Sequence, residues 1–510
     1  MNWFTKYTYA QKSIFIVLIF TVIRVVVSNF IGLGNDESYY YSYTHQLQIN
    51  YFDHPPLVAI WLKIFTLNFW LGQSVFVLRL GSFIGCIMAS FFMYKVVQNI
   101  GTPKAGFIAV LLYNCSFYAS VSAGLLVMPD TPQMVFFTAS MYYITKIIKE
   151  DNSWANWIGF GLVAGLAVMS KVHAIFLWVG MSSYAIFYAR HWFAKPAFYL
   201  AILLSAIIIS PILIWNIQND FITFRFHGER VIVSDAPLLN WYGLLAEIVG
   251  ELVINNILNV VLIFTFVFVK KIYKGHSKVF IVFNIIAFSL LFCIVFLALF
   301  KQTLPHWSGP VYICLIPIAA VGVSNFKNAF LQKIFLGNFI YTLFIYVGLI
   351  YCVQYYAGTF SKAAAPFIGQ GDISLDAYGW QQGGKKFKEI YYANCESNKK
   401  YPSPIVSNTW WGAHDEYYFA KPLKIPVIGL GSIKEIHQYH WLNKANAAKV
   451  YLDTSFAIVH SYDYYDAKKI YAKYYRTIDC INTITIYRNK KLAYHFYIYK
   501  LVGWRGVAIF

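Results

Sequence analysis

Three carboxylates and two histidines crowd one short stretch of the chain: Asn35-Asp36-Glu37, then His45, then Tyr51-Phe52-Asp53-His54-Pro55-Pro56. They follow an apolar run from Gln11 to Ile31, which matches the ~20 residues needed to cross a hydrocarbon core. Ionisable groups at a membrane boundary are costly and are usually kept for binding or catalysis. More follow at later boundaries: Asp130 in Pro129-Asp130-Thr131-Pro132, Lys171 interrupting an apolar stretch, Arg225 and Arg230 flanking His227, and Lys301 opening a further loop. Carboxylates such as Asp36, Glu37, Asp53 and Asp130 can orient or deprotonate an acceptor, and the cations can stabilise a departing anion. Plainer duties compete with these. Asp130 is placed to cap a helix starting at Thr131-Pro132, Glu37 could pair with a cation and fix its loop, and Lys171 and Lys301 could snorkel to headgroups.

The elements that must position these residues are mostly membrane helices. The 510-residue chain is 59% hydrophobic and 12% charged, against about 25% charged for an ordinary soluble domain. Its net charge of +19 is better explained by lysines punctuating apolar spans beside anionic lipid than by nucleic acid, which is excluded as a partner. Apolar windows near 11–31, 75–97, 105–122, 132–148, 156–170, 172–190, 197–215, 251–269, 279–299, 307–323 and 334–355 predict eleven spans. With a cytoplasmic N-terminus, Lys95 and Lys104, then Lys146 and Lys149, then Lys327 and Lys333 fall inside, as the positive-inside rule requires. An odd number of crossings puts segment 32–74, the turn at Asp130, the loop 216–250 and everything after about 356 on the outer face.

Residues 356–510 lose the long apolar windows. Short runs at Ile405-Val406, Ile425 to Ile428, Phe456 to His460 and Thr483 to Tyr487 read as strands between lysine-rich helices. The predicted architecture is therefore a polytopic α-helical membrane domain, 1–355, followed by a mixed α/β outer domain, 356–510. Cys395 and Cys480 are the cysteines of that outer domain and a candidate disulfide in an oxidising compartment.

One reaction that needs carboxylates and cations at an outer membrane surface is transfer of a sugar from a polyprenyl phosphate carrier. The carrier's phosphate sits at headgroup level while its tail stays in lipid. The enzyme must offer an acceptor-orienting group, cations for the leaving phosphate and an apolar groove.

The Asp36-Glu37 pair, the Tyr51-to-Pro56 segment, Pro129-Asp130-Thr131-Pro132, Met169-Ser170-Lys171 and Lys301-Gln302-Thr303-Leu304-Pro305, taken in that order, resemble the GT-C membrane glycosyltransferases. The likeness is to glycosyltransferase family 83, the branch typified by lipid A aminoarabinose transferases. It spans the whole chain in layout and implies about 11–13 transmembrane helices with a C-terminal periplasmic domain in the bacterial inner membrane. It further implies inverting transfer of a sugar, an amino sugar among the candidates, from undecaprenyl phosphate to lipid A or a related envelope glycolipid, with no nucleotide cofactor. Asp36 would be the principal catalytic carboxylate, with Glu37 and Asp130 beside it. Lys171, Arg230, Lys301 and His54 would contact the carrier phosphate. Asp53 and His227 match positions that help bind a divalent metal, zinc, in the aminoarabinose transferases. The residue after the acid is lysine there and His54 here, which unsettles the phosphate contact and makes His54 a third metal ligand by type. Two other functions fit the same residues: glycosylation of protein or glycan on this scaffold, and transport of lipid-linked sugars without chemistry.

Overall fold

The structure is a computed structural model and describes residues 7–231, 239–273, 275–395, 400–446 and 450–509. It divides into two compact units, one of residues 1–26 and 49–345, the other of 27–48 and 346–510. The sequence reading places the boundary at 355/356 and assigns Asp36 and Glu37 to the membrane domain. In the structure residues 27–48, which carry both carboxylates, belong with the C-terminal unit.

The first unit is a helix bundle. Among the described residues six helices are long and apolar enough to cross a membrane: Tyr9–Ser28, Val75–Ile100, Pro196–Gln218, Ser277–Ala298, Pro305–Ser324 and Asn328–Tyr355. A seventh span results if Trp241–Ile254 and Ile257–Val267, bent by 98° at their break, count together. All eleven apolar windows are helical, but several hold shorter pieces, among them Pro103–Cys115 with 13 residues, Trp154–Ser170 with 17, Phe176–Tyr188 with 13 and Ile257–Val267 with 11. The window at 132–148 holds the 20-residue helix Asp130–Lys149.

Burial separates lipid-facing from central helices. Leu336, Ile340, Phe344 and Val347 form an exposed apolar stripe at helical spacing on the penultimate turns of Asn328–Ile350, as a lipid-facing surface requires. Gly309–Ser324, by contrast, is buried along nearly its whole length. Arg24, deep in the first span, lies fully buried, donating to the Ser120 carbonyl (3.1 Å) and to Asn114 Oδ1 (2.7 Å). A buried guanidinium is tolerable because bundle acceptors meet it in place of water.

The second unit is built on a five-stranded sheet: β1 Ile405–Ser407, β2 Val427–Gly429, β3 Thr454–His460, β4 Tyr475–Arg488 and β5 Lys491–Trp504. The spatial order is β2-β1-β3-β5-β4, with β2, β1 and β3 parallel and the β3/β5 and β5/β4 pairs antiparallel. β4 and β5 join through Asn489 and Lys490, both at positive φ, the backbone of a two-residue hairpin turn that matches strand twist. The helix Trp380–Asn394 buries Trp380, Gly383, Gly384, Phe387 and Tyr391 along one face. A Cβ on Gly384 would stand 2.1 Å from the Tyr418 carbonyl oxygen, so only glycine permits that approach. Cys395, at the end of this helix, and Cys480, exposed on edge strand β4, are both free thiols, and the candidate disulfide does not form.

Candidate active site

In the first unit the sequence-singled residues converge on one ion pair. Asp130 is the first residue of its helix, after Pro129, and its side chain caps nothing. It turns inward, 0% exposed, where Lys171 Nζ meets both carboxylate oxygens at 2.9 and 3.0 Å and the Tyr118 hydroxyl donates to Oδ1 at 2.9 Å. Lys171 is itself buried, at the break between Trp154–Ser170 and the short helix from Val172. Tyr118 opens a π-turn, Tyr118–Ser122, and its ring lies flat against the start of Gly309–Ser324. A Cβ on Gly309 would be 2.3 Å from that ring.

Three histidines lie within electrostatic reach of this pair: His54, His173 and His306. His173 Nε2 is 3.0 Å from Gln133 Nε2. His306 is delivered by segment 301–308, which the bent helix holds through two buried glutamates. Thr303 donates to Glu247 Oε2 at 2.7 Å and Tyr312 donates to Glu251 Oε2 at 2.8 Å. Lys301 is half-buried at the head of this segment, and its ammonium makes no ion pair or hydrogen bond among the described residues. It is not among the charges gathered at Asp130 and Lys171.

The loop of Asp53 and His54 is fastened to helix Ile222–Val231. Asn50 Nδ2 donates to Thr223 Oγ1 (3.2 Å), the rings of Phe52 and Phe226 pack at 4.7 Å, and His227 Nε2 lies 2.8 Å from the Asp53 carbonyl oxygen. Burial holds the His54 imidazole down to about 4; the Asp53 carboxylate opposes this, and Lys171 reinforces it. His54 is therefore neutral at physiological pH and offers a hydrogen bond rather than a charge. Arg230 lies in the same helix, with its side chain outside the described residues.

The donors do not fit the zinc site that Asp53, His227 and His54 suggest by type. His227 commits Nε2 to a backbone carbonyl. Among the described residues no group of three or more His, Cys, Asp or Glu side chains is placed to hold an ion, whereas protein zinc sites take three or four ligands.

The second unit presents its own acid. Asp36 is exposed on the first turn of Asn35–Ser42, while the neighbouring Glu37 is buried and accepts the Gly34 N–H at 3.0 Å. Glu37 thus helps hold the turn through this hydrogen bond.

Sequence reasoning missed Tyr118, His173, His306, Glu247 and Glu251. Two carried a signal: His173 stands two residues after Lys171, and His306 directly follows the Leu304-Pro305 motif. Nothing in sequence separates Tyr118 from the 40 other tyrosines of the chain's 41.

Residues 53–215 match the sequence model of the family described as dolichyl-phosphate-mannose-protein mannosyltransferase. Lipid A galacturonosyltransferase RgtD from Rhizobium johnstonii is 23% identical over 217 residues, 42% of this chain and 45% of the relative, so the chain matches about half the length of that protein. ArnT from Cupriavidus metallidurans superposes over 96% of this chain and 97% of its own, at 12% identity, with TM-scores of 0.63 in its undecaprenyl phosphate complex and 0.62 in its apo state (11% identity). The chain is a multi-pass membrane protein with the GT-C fold, and its residues 53–215 match the mannosyltransferase family model.

Proposed function

We propose that this protein is a polyprenyl-phosphate-sugar-dependent glycosyltransferase that acts by inversion on lipid A or a related envelope glycolipid, in the bacterial inner membrane with Asp36 on the periplasmic side. The observation that carries the reading is the buried Lys171 ammonium, gripped by Asp130, which also accepts from the Tyr118 hydroxyl, and attended by His54, His173 and His306. An ammonium has three N–H groups. Two directed at Asp130 leave one for a phosphate oxygen, and Asp130 holds the nitrogen aimed. The carrier phosphate and the imidazole donors then meet in a desolvated setting, where such contacts strengthen as charge develops on the leaving phosphate.

In the reaction the acceptor oxygen attacks the anomeric carbon, the bond from that carbon to the carrier phosphate breaks, and polyprenyl phosphate departs. Asp36, exposed at the first turn of its helix, is assigned the acceptor side. A hydroxyl acceptor would pass its proton to Asp36. A phosphate acceptor would arrive as an anion and need only orientation. The lipid A acceptor is supported by the likeness to RgtD over 217 residues. The family description of residues 53–215 favours a second reading, with protein as acceptor. Incubating the purified protein with a panel of polyprenyl phosphate sugars and either lipid A or envelope protein decides between them. A sugar-sized mass gain on lipid A is expected. A gain on protein alone supports the second reading, and no transfer from any donor contradicts both.

A further inference from the structure

The turn that carries Asp36 is held from below by residues more than 340 positions away in sequence, all within the second unit. Asp376 Oδ2 accepts the Asn35 backbone N–H at 3.0 Å, and the Gly32 N–H donates to the Ala377 carbonyl at 3.1 Å. The Tyr418 hydroxyl accepts the Leu33 N–H at 2.7 Å, while His414 bridges Asn35 Oδ1 (3.0 Å) and the Leu33 carbonyl (3.1 Å). Trp380 stacks on the His414 ring at 4.1 Å and locks it. The N–H groups of Gly32, Leu33 and Asn35 and the Leu33 carbonyl are thus met by side chains or a carbonyl of the C-terminal region. None of these partners contributes to the sheet, and Asp376 lies in the short 3-10 turn Ile373–Ala377.

We infer that Asp376 and His414 are positioning residues for Asp36, so that the C-terminal domain serves as the anvil on which the reactive carboxylate is set. This rests on the assignment of Asp36 under Proposed function. The chemistry of the two groups fits the role. Burial holds His414 down to about 3, so it is neutral and carries a single N–H for two partners. Turning the Asn35 amide by half a rotation lets its otherwise unpartnered Nδ2 donate to Nδ1 while Nε2–H donates to the Leu33 carbonyl, which satisfies all three groups. Asp376 also feels Asp36 and Glu37 as neighbouring negative charges, so any shift of the turn alters the field at Asp36. A misplacement of about 1 Å in a reacting group can cost on the order of 100-fold in rate.

The test is steady-state transfer by the full-length protein in nanodiscs, with a polyprenyl phosphate sugar as donor. Asp376→Ala removes the acceptor for the Asn35 N–H, and Asp376→Asn keeps a carbonyl oxygen in its place. Gly34→Ala attacks the same contact from the other side, since its Cβ would lie 2.9 Å from Asp376 Oδ2. The expected result is a kcat lowered about 10- to 100-fold in Asp376→Ala and Gly34→Ala, a donor KM within about twofold of wild type, and kcat restored to within about threefold in Asp376→Asn. Wild-type kcat in Asp376→Ala, or an equal loss in Asp376→Asn, overturns the inference. Asp36→Asn is run alongside. If it is inactive while Asp376→Ala is fully active, the positioning role alone fails; if Asp36→Asn is itself fully active, the assignment of Asp36 fails.

Discussion

Lys171 Nζ stands almost equally far, at 2.9 and 3.0 Å, from the two carboxylate oxygens of Asp130, which is fully buried while Lys171 is 7% exposed. A buried pair of this kind contributes little net stability over a well-packed apolar pair, yet removing one partner strands the other's charge at a cost of about 3–5 kcal/mol. Lys171→Met and Asp130→Asn should therefore each lower thermal stability in detergent sharply, and the double variant by less than the sum. Thermal unfolding of the three proteins checks this. Additive losses would mean that the two groups act independently.

His173 and His306 reach the pair from different elements and use different anchors. Replacing either by glutamine keeps a donor of similar size but loses the ring geometry. Transfer should fall about 10- to 100-fold, in the range seen for loss of one positioned donor, with unfolding temperature nearly unchanged. Single-turnover rates test this, and wild-type rates would remove the histidines from the site.

The arrangement at Asp53 and His227, with His227 Nε2 2.8 Å from the Asp53 carbonyl oxygen, favours a hydrogen-bonding role for this histidine over a metal-binding one. Elemental analysis of protein purified without chelator should find zinc well below one equivalent, and prolonged chelation should leave transfer intact. Stoichiometric zinc lost together with activity would contradict this.

Asp376 supplies a pH signature in the second unit. Burial, reinforced by the charges of Asp36 and Glu37 and opposed by the Asn35 N–H, pushes its carboxyl up to about 7 from 3.8. The folded protein thus binds this proton more tightly than the unfolded chain. The stabilising contribution is complete below about pH 4 and is lost as pH rises to about 7. Asp376→Asn should be more stable than wild type by on the order of 1–3 kcal/mol at pH 8 and by little at pH 4 to 5. Thermal scans of both proteins at the two pH values measure it, and a pH-independent difference would contradict it.

How far these features were legible in sequence depended on whether an element acts locally. Asp130 and Lys171 were legible because a charge inside an apolar window has few reasons to exist. Their pairing was not, since the two lie 41 residues apart and only helix packing joins them. The helical windows were readable for the same reason as the charges, from runs of apolar residues. The 98° break after Ile254 was not, because apolar residues continue across Asn255-Asn256. The strands β4 and β5 were underestimated because polar residues alternate along an edge with one face exposed, and a two-residue turn lacking glycine joins them. Above all, Asp36 follows a membrane span in sequence but folds with residues beyond 345, a choice made by Asp376, His414 and Tyr418.

The most direct test of the central claim is transfer of a radiolabelled sugar from polyprenyl phosphate to lipid A by the purified protein and by Asp36→Asn, with both shown to be folded in nanodiscs. The account predicts product with inverted anomeric configuration from the wild type and a loss of at least about 100-fold in the variant. Equal product from the two proteins, or retained configuration, would contradict it.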